Sequence, residues 1–426
     1  MNEILTIGGV SAKALAEAMG TPLMVYDQAA LEKRLNEFKT SFVHSEFETQ
    51  VIYASKAFSC TAMLELVKKA GCGLDVVSVG ELEAAKHADF PMREIVFHGN
   101  NKTPYEIRTA IEYGVGSIII DGAMELDEVI KSAVQLRKKT PVIVRINPGI
   151  EADTHQYIIT ANIDSKFGVS IYERECILGM IKKIHDCEYL EFQGIHIHIG
   201  SQIFGIDPFI AGIRKIMEFI SDIEKAGYPV NVLDLGGGFA ATYTEKDMPL
   251  PISLVCNHIL LECKNQKDSL GVSVGKIMIE PGRSMVAEAG LTLYTVGFIK
   301  QTANKKYIFV DGGMSDNIRP ALYGAKYRCD AAEKMNAPKT EKVCVAGKCC
   351  ESGDVLIEEA MLPKMEPGDL LAVYTTGAYG YSMASNYNRL PLPAVVFAKD
   401  GKARCVIKRQ PYEDMWRLDT DTQINL

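Results

Sequence analysis

The strongest structural signal in the sequence lies in residues 50–149, QVIYASKAFSCTAMLELVKKAGCGLDVVSVGELEAAKHADFPMREIVFHGNNKTPYEIRTAIEYGVGSIIIDGAMELDEVIKSAVQLRKKTPVIVRINPG. Short apolar runs begin there at Gln50, Gly73, Glu94, Gly116 and Pro141, and segments of helical character separate them. The runs start roughly 20 to 25 residues apart, which is the length of one strand, one helix and two turns. The stretch therefore predicts consecutive β-α units.

The same pattern continues toward the C-terminus. Three further strand-like runs follow, FQGIHIHIG from Phe192, VLDLGGG from Val232 and KIMIEPG from Lys276. Eight such units within roughly 230 residues favour a closed, TIM-like (β/α)8 barrel over an open doubly wound sheet. Residues 150–168 have little helical periodicity, and we expect a long loop at the mouth of the barrel there.

The pattern changes after Gly282. Six strand-like runs separated by turn residues predict a mainly antiparallel β-domain. The strand PLMVYD from Pro22 precedes the barrel and is expected to join this second domain. The predicted fold is therefore α/β, with a (β/α)8 barrel in residues 28–282 and a discontinuous β-domain in residues 1–27 and 283–426.

Composition excludes several classes of protein. The 426 residues are 47% hydrophobic, and 54 acidic against 46 basic side chains give a formal net charge of −8. A chain of this size and composition normally forms two folded domains, and it lacks the basic stripe that nucleic acid requires. No apolar run approaches the roughly 18–20 residues that span a bilayer, and the N-terminus lacks the basic and apolar regions of a signal peptide. We therefore expect a soluble cytoplasmic protein without nucleic-acid or membrane partners.

The eleven cysteines match no disulfide or zinc framework, because their number is odd and no two form a CxxC pair. We expect most of them to be reduced and buried. The exception is the adjacent pair Cys349 and Cys350 in KCCESGD, which places a thiol beside a carboxylate in a turn.

In a barrel of this kind, chemistry takes place at the carboxyl ends of the strands. The polar or glycine residues at those ends are Lys56, Asp75, His98, Asn147, His198, Gly236, Gly237, Gly238, Glu280 and Arg283. Lys56 is either a surface lysine or an amine in a desolvated mouth, where its pKa falls and it can form a Schiff base. The three glycines are either a flexible turn or a set of backbone N–H groups that converge on an anion.

Two strand ends allow more than one interpretation. His196 and His198 lie two residues apart, so we expect both to point into the barrel. They are either a metal-binding pair, a flat imidazole surface for a ring, or two core histidines. Glu280 needs a cationic partner in the barrel mouth, and Arg283 is close enough in sequence to form a local ion pair.

The β-domain adds a second set of polar side chains. RPALYG places Arg319 and Tyr323 four residues apart, on one face of a helical turn, and Tyr379 lies in a loop rich in tyrosine and glycine. The barrel ends supply an amine, an anion cradle, an imidazole surface and a carboxylate. These are the groups that pyridoxal phosphate requires.

The motifs YASKA, GLDVVS, FHGNNKT, HIHIGSQ, DLGGGF, EPGRS, RPALYG, CESGD and GAYG, in this order, resemble those of the diaminopimelate decarboxylases. These enzymes belong to the alanine-racemase-like, fold type III group of pyridoxal-phosphate enzymes. The resemblance runs from about Thr21 to about Arg389. It implies a carbon–carbon lyase that converts meso-2,6-diaminopimelate to L-lysine and CO2, the last step of lysine biosynthesis.

The resemblance also implies a role for each matched residue. Lys56 would bind the cofactor covalently, His198 would stack on its ring, and Glu280 would pair with its pyridinium nitrogen. The remaining cofactor-binding residues would be Asp75, Ser201, Gly236, Gly237, Gly238, Gly282, Arg283 and Tyr379. The substrate-binding residues would be Arg283, Arg319, Tyr323, Glu351 and Tyr379. Cys350 would be the proton donor in the active site of the partner subunit of a homodimer.

Two positions depart from the family pattern, and other functions stay open. Val79 stands where the family usually has glycine in SGGEL, and Ala161 stands where it usually has TG. The nearest alternatives are a decarboxylase of ornithine, arginine or carboxynorspermidine and an amino-acid racemase. More distant alternatives are a metal-dependent barrel hydrolase that uses His196 and His198, and a non-catalytic pyridoxal-phosphate carrier.

Overall fold

The computed structural model describes residues 3–150 and 165–424. The chain divides into two compact units, one of Met1–Leu31, Thr242–Asp247 and Val286–Leu426 and the other of Glu32–Ala241 and Met248–Met285. We call them the β unit and the barrel unit. Their boundaries differ by a few residues from the ranges predicted from sequence, and the inclusion of residues 242–247 in the β unit was not predicted.

The chain begins with elements of the β unit. They are β1 (Thr6–Ile7), β2 (Val10–Ser11), α1 (Ala12–Met19), β3 (Leu23–Asp27) and the start of α2 (Gln28–Ser41). Strand β3 pairs antiparallel with a strand that starts at Gly290 and parallel with one that starts at Ala394. The expectation that PLMVYD joins the second domain is therefore confirmed.

The barrel unit contains eight parallel strands in one closed sheet. They are β4 (Glu48–Ala54), β5 (Gly73–Val76), β6 (Ile95–Phe97), β7 (Ser117–Ile120), β8 (Thr140–Asn147), β10 (Leu190–His196), β11 (Val232–Asp234) and β12 (Lys276–Ile279), with the short β9 (Val169–Ser170) beside β8. Pairing of β12 with β4 and of β8 with β10 closes the ring. All eight predicted strands are present, and the predicted barrel is confirmed.

Helices follow the strands as the spacing predicted. They are α3 (Thr61–Lys69), α4 (Val79–His87), α5 (Pro104–Tyr113), α6 (Ala123–Leu136), α7 (Arg174–His185), α8 (Asp207–Lys225), α9 (Ile252–Leu270) and α10 (Arg283–Val286). The sequence of α5 explains where this helix begins and ends. Thr103 and Glu106 form a capping box, Pro104 lies in the first turn, and Gly114 ends the helix in the left-handed conformation. Residues 151–164 of the predicted long loop, with Ala161, lie outside the described residues.

The interior of the barrel is a packed apolar layer rather than a channel. Its side chains are buried and come from six different strands, namely Ile52, Val96, Ile119, Ile143, Val232 and Met278. Branched aliphatic residues suit both the strand backbone and this inner surface. The filled interior leaves the carboxyl ends of the strands as the place where polar groups can gather.

The β unit is built on a second sheet. After β13 (Gly290–Gln301) come β14 (Lys306–Val310), α11 (Arg319–Tyr323), β15 (Cys329–Ala331), β16 (Glu341–Ala346), β17 (Val355–Leu362), β18 (Leu370–Tyr374), β19 (Ala394–Lys399) and β20 (Lys402–Ile407). The order is β17-β16-β14-β13-β3-β19-β20, and β18 pairs with β13 and β15. Most pairs are antiparallel as predicted, but β14–β16 and β3–β19 are parallel.

In the part of the chain that the structure describes, no helix is both long enough and apolar enough to cross a membrane.

Candidate active site

Four buried side chains from different strand ends meet at one end of the barrel. His98 follows β6, His196 ends β10, Asp234 ends β11 and Glu280 follows β12. One potential ligand atom from each lies within 4.8 Å of the others. The parallel topology alone brings these residues together, since they are far apart in sequence.

Glu280 is the central acceptor of this group. Its Oε1 lies 2.6 Å from Nε2 of His98 and its Oε2 lies 3.2 Å from Nε2 of His196. Burial opposes ionisation of Glu280, which is only 6% exposed, but the two imidazoles outweigh burial and hold its pKa well below the usual range. Glu280 therefore carries a fixed negative charge at the mouth of the barrel.

The neighbouring carboxyls behave differently. Burial, and then the charge of Glu280, raise the pKa of Asp234 well above its usual range. Burial raises the pKa of Asp75 to about 6, and its Oδ1 has no hydrogen-bond partner among the described residues. The site thus separates one ionised carboxylate from carboxyls that retain protons more readily, as acid–base sites do.

His198 has a different hydrogen-bond partner from His196, although the two rings are close enough to interact electrostatically, and that both point into the barrel stays a prediction. Strand β10 ends at His196, so the two-residue alternation does not extend to His198. Nδ1 of His198 accepts the N–H of Gly237 at 3.2 Å. Burial and then the charge of Lys56 lower the pKa of His198 to about 3. The ring is neutral at pH 7, with its proton on Nε2. It is also absent from the four-residue group that could hold a metal.

Lys56 lies in a short 3₁₀ turn, Ser55–Ala57, directly after β4. Its charge lowers the pKa of both Asp75 and His198, so its amine lies within electrostatic reach of both side chains. The side chain is exposed. Of the two interpretations of Lys56, the exposed lysine describes this single chain, and its role as a Schiff-base amine stays a prediction.

The glycine loop is tightly packed. Gly236 N–H donates to Oδ1 of Asp234 at 2.9 Å, and Gly237 N–H donates to His198. A Cβ at Gly237 would lie 2.4 Å from the carbonyl oxygen of Glu280, so no larger residue fits. The amides of Gly236 and Gly237 therefore already have acceptors within the chain. To bind an anion as expected, these two amides would have to release Asp234 and His198.

Arg283 and Ser201 lie together at the same end of the barrel. The guanidinium of Arg283 donates from Nη2 to Oγ of Ser201 at 3.0 Å. Gly282 is buried, and a Cβ there would lie 2.9 Å from Cβ of Ala54. The printed hydrogen-bond partners of Glu280 are His98 and His196, and burial lowers the pKa of His196 to about 4, so at pH 7 that ring is a neutral donor.

Two side chains that support the site, Glu81 and Lys102, were not predicted from the sequence. Glu81 accepts from Ser55 Oγ at 2.9 Å and from Val77 N–H at 2.6 Å, which ties the Lys56 turn to the loop after β5. Ser78 caps α4, so valine at position 79 leaves this turn intact. Buried Lys102 donates to the carbonyl of Gly99 at 2.7 Å, next to His98. Asp234 was also missed, although DLGGG marks it as the last strand residue before a glycine loop.

In the β unit, Arg319 begins α11 and is surrounded by tyrosines. It is 8% exposed, and its Nε donates to the Tyr327 hydroxyl at 2.9 Å. Its guanidinium carbon lies 5.7, 5.7 and 5.3 Å from the ring centres of Tyr243, Tyr323 and Tyr379. The predicted shared face of Arg319 and Tyr323 is confirmed. Cation–π contacts of this kind orient an arginine while leaving its charge intact.

The turn that carries Cys350 and Glu351 also belongs to the β unit. Both side chains are exposed, whereas Cys349 is buried. Cys350 N–H donates to Oδ1 of Asn388 at 2.8 Å, and Glu351 Oε1 accepts from Gly353 N–H at 3.3 Å. All eleven cysteines are free thiols.

The fold and the strand-end residues correspond to a class of barrel enzymes. A family model described as "Pyridoxal-dependent decarboxylase, pyridoxal binding domain" matches residues 28–287. The barrel unit therefore has the architecture of a pyridoxal-dependent decarboxylase.

Full-length relatives define the family more closely. The diaminopimelate decarboxylase of Bacillus subtilis is 46% identical over 417 residues, covering 97% of this chain and 95% of the relative. That of Staphylococcus aureus is 44% identical over 421 residues and covers 98% of both chains. The crystal structure of a diaminopimelate decarboxylase from m. jannaschii in co-complex with L-lysine matches with a TM-score of 0.93 and 35% identity, covering 99% of this chain and 98% of that one. The chain belongs to the diaminopimelate decarboxylase family.

The residues at the barrel end fit pyridoxal phosphate. Glu280 is a buried carboxylate held ionised, which suits a pyridinium nitrogen. The buried Oδ1 of Asp75 lacks a partner among the described residues, and the glycine loop is close-packed beside a neutral imidazole. Lys56 supplies an amine within electrostatic reach of this group.

Proposed function

We propose that this chain converts meso-2,6-diaminopimelate to L-lysine and CO2 with pyridoxal phosphate, as the last step of lysine biosynthesis. The observation that carries the proposal is the ionised, buried Glu280 held by His98 and His196. Near-full-length relatives that are diaminopimelate decarboxylases support the choice of substrate.

In this proposal Lys56 would hold the cofactor through its amine, and Glu280 would pair with the pyridine nitrogen. His198 would lie against the ring, and its neutral state would avoid repulsion from the pyridinium. The phosphate would be held by Ser201, Gly236, Gly237, Gly238, Gly282, Arg283 and Tyr379, and Asp75 would complete the cofactor-binding set. When bound, pyridoxal phosphate supplies the electron sink for the electron pair that departing CO2 leaves behind.

The β-unit residues would recognise the distal end of the substrate. Arg319 and Arg283 would bind the distal carboxylate with Tyr323 and Tyr379, and Glu351 would bind the distal ammonium. Arg319 is the best-defined of these, because four tyrosines fix a buried guanidinium. A substrate without a distal carboxylate would leave this charge unpaired, which disfavours ornithine or arginine as substrate.

Cys350 would return a proton to the carbon that loses CO2. We propose that it acts in the site of a partner subunit in a homodimer. Its exposure in the single chain agrees with such a role, whereas buried Cys349 has a pKa raised by burial and is suited to packing. Eleven free thiols in one chain suit a reducing compartment, and we propose the cytoplasm.

The direct test is CO2 release from a panel of diamino acids, with and without added pyridoxal phosphate. We expect release from meso-diaminopimelate that requires the cofactor and leaves L-lysine. Lys56→Ala should abolish both the release and the visible absorbance that borohydride bleaches, while Lys69→Ala, on the next helix, should retain both. Stoichiometric zinc without a visible band would instead favour a metal-dependent hydrolase.

A further inference from the structure

Two segments of the β unit carry groups with different proposed roles. Residues 312–319, the arginine segment, lead from β14 into Arg319 at the start of α11. Residues 347–351, the cysteine segment, lead from β16 to Cys350 and Glu351. The two segments are about 30 residues apart in sequence, so something beyond chain connectivity must fix their relative positions.

The carboxylate of Asp354 bonds to both segments at once. Its Oδ1 accepts the N–H of Met314 at 2.7 Å, and its Oδ2 accepts the N–H of Cys349 at 2.7 Å. The backbone carbonyl of Asp354 also accepts the N–H of Gly347 at 3.0 Å. Asp354 is 3% exposed, so these bonds lie out of water, where a lost partner costs most.

The surrounding backbone leaves room for this carboxylate and little else. A Cβ at Gly313 would lie 2.5 Å from its oxygens, and a Cβ at Gly347 would lie 2.3 Å from Oδ2. Gly313 also has a φ of +155°, which side chains rarely adopt. One glycine from each segment therefore admits the same carboxylate.

Further hydrogen bonds hold the two segments. In the arginine segment, Asp316 accepts Gly313 N–H at 2.7 Å and the hydroxyl of Tyr294, in β13, at 2.8 Å. In the cysteine segment, Lys348 N–H donates to the Gly312 carbonyl at 2.9 Å. The two segments are thus joined directly by one backbone hydrogen bond, and Asp354 is the side chain that joins them through its two carboxylate oxygens.

We propose that Asp354 is a positioning residue that fixes the substrate-binding Arg319 and the proton-donating Cys350 relative to each other. This inference rests on the proposed function, because it assigns those roles to Arg319 and Cys350. It predicts that loss of one Asp354 bond disturbs both the KM and the kcat of the decarboxylase.

The test is the Asp354→Asn variant of the full-length holoenzyme, assayed with meso-diaminopimelate. Asparagine has the same shape but can accept only one of the two N–H groups and presents an amino group to the other. We expect kcat to fall about tenfold and KM to rise about tenfold. The matched control is Asp369→Asn, because Asp369 also accepts a backbone N–H, from Glu366 at 2.7 Å, but contacts neither segment through that bond.

Double variants separate positioning from general destabilisation. In an Arg319→Ala background, adding Asp354→Asn should change KM less than threefold, and in a Cys350→Ala background it should change kcat less than threefold. Full additivity in both backgrounds would overturn the proposal, as would an Asp354→Asn enzyme with wild-type kcat and KM. A wild-type protein that releases no CO2 from diaminopimelate would instead overturn the proposed function.

Hydrogen exchange provides a readout that does not depend on activity or on the folding of a variant. In the wild-type holoenzyme, the amides of Met314 and Cys349 should both exchange slowly, because each donates to a carboxylate that is buried from water. Rapid exchange at either amide would contradict the proposal even if Asp354→Asn failed to fold.

Discussion

Glu280 shows how individual residues set the chemistry of the barrel end. Its ionised state depends on His98 and His196, which lie 182 and 84 residues away in the sequence. The sequence alone indicated that Glu280 needs a cationic partner, but Arg283 was the only nearby candidate in the chain. The two histidines that hydrogen-bond to Glu280 follow or end other strands, so they meet it only when the barrel closes.

His198 should make folding depend on pH. Its pKa is about 3 in the folded chain, because of burial and the charge of Lys56, whereas an unfolded histidine titrates near 6.5. Below about pH 6.5 the unfolded chain therefore binds a proton at His198 that the folded chain does not bind. The stability that depends on a neutral His198 is complete at neutral pH and is lost as the pH falls. The difference in free energy of unfolding between His198→Asn and wild type should therefore shift by about 1–2 kcal/mol in favour of the variant between pH 7.5 and pH 5.

Melting temperatures of the two apoproteins at these pH values measure that change. The exposed His185, replaced by asparagine, serves as the control and should show the same difference from wild type at both pH values. If the difference in melting temperature between His198→Asn and wild type does not vary with pH, folding does not lower the pKa of His198.

Arg319 should determine affinity for the distal carboxylate. Arg319→Ala removes a guanidinium that is buried among tyrosines, and we expect KM for meso-diaminopimelate to rise about 30- to 100-fold, as for a lost charge-assisted contact. Steady-state kinetics measure this change in KM. Arg328→Ala is the control, because Arg328 is exposed. An unchanged kcat/KM would remove Arg319 from the substrate site.

At the level of elements, the eight strands were predictable and their polar ends only partly so. Strand spacing depends on local apolar runs, which the sequence displays directly. The surroundings of His198 depended on where β10 ends, and a strand end is decided by pairing with β8 and β11. Strand β17 was missed in the β unit because VLIEEAML has two consecutive acidic residues, which local alternation does not favour.

The glycine loop after β11 should tolerate no side chain at its centre. In Gly237→Ala the new Cβ would lie 2.4 Å from the Glu280 carbonyl oxygen, so the loop must move away from β12. We expect the dissociation constant for pyridoxal phosphate to rise at least about tenfold, since a displaced cradle loses more than one hydrogen bond.

Titration of apoprotein absorbance with the cofactor measures that affinity. Gly179→Ala, in α7, is the matched control, because a Cβ there has no neighbour within 4 Å and should leave cofactor binding unchanged. Wild-type affinity in Gly237→Ala would mean that the loop is not part of the cofactor site.

At the scale of the whole molecule, a homodimer with shared sites predicts complementation. Lys56→Ala and Cys350→Ala chains should each be nearly inactive alone. After subunit exchange, half of the dimers are mixed, and each has one intact site, so up to about one quarter of wild-type activity should return. CO2 release from the mixture measures this recovery.

Subunit exchange itself is verified by mass spectrometry of differently tagged chains. Two Lys56→Ala chains carrying different tags should exchange without regaining activity. Demonstrated exchange with no recovery in the mixed sample would mean that each active site is built from one chain.

The place of β3 has a consequence for synthesis on the ribosome. This strand leaves the ribosome early, yet its sheet partners β13 and β19 begin at Gly290 and Ala394. At 5–20 residues per second, roughly 15–50 seconds of translation separate β3 from its first partner. All eight barrel strands are translated in that interval, so an apolar strand, LMVYD, must stay unpaired or shielded while they emerge. During this interval strand β3 is therefore a site at which a chaperone could bind the nascent chain.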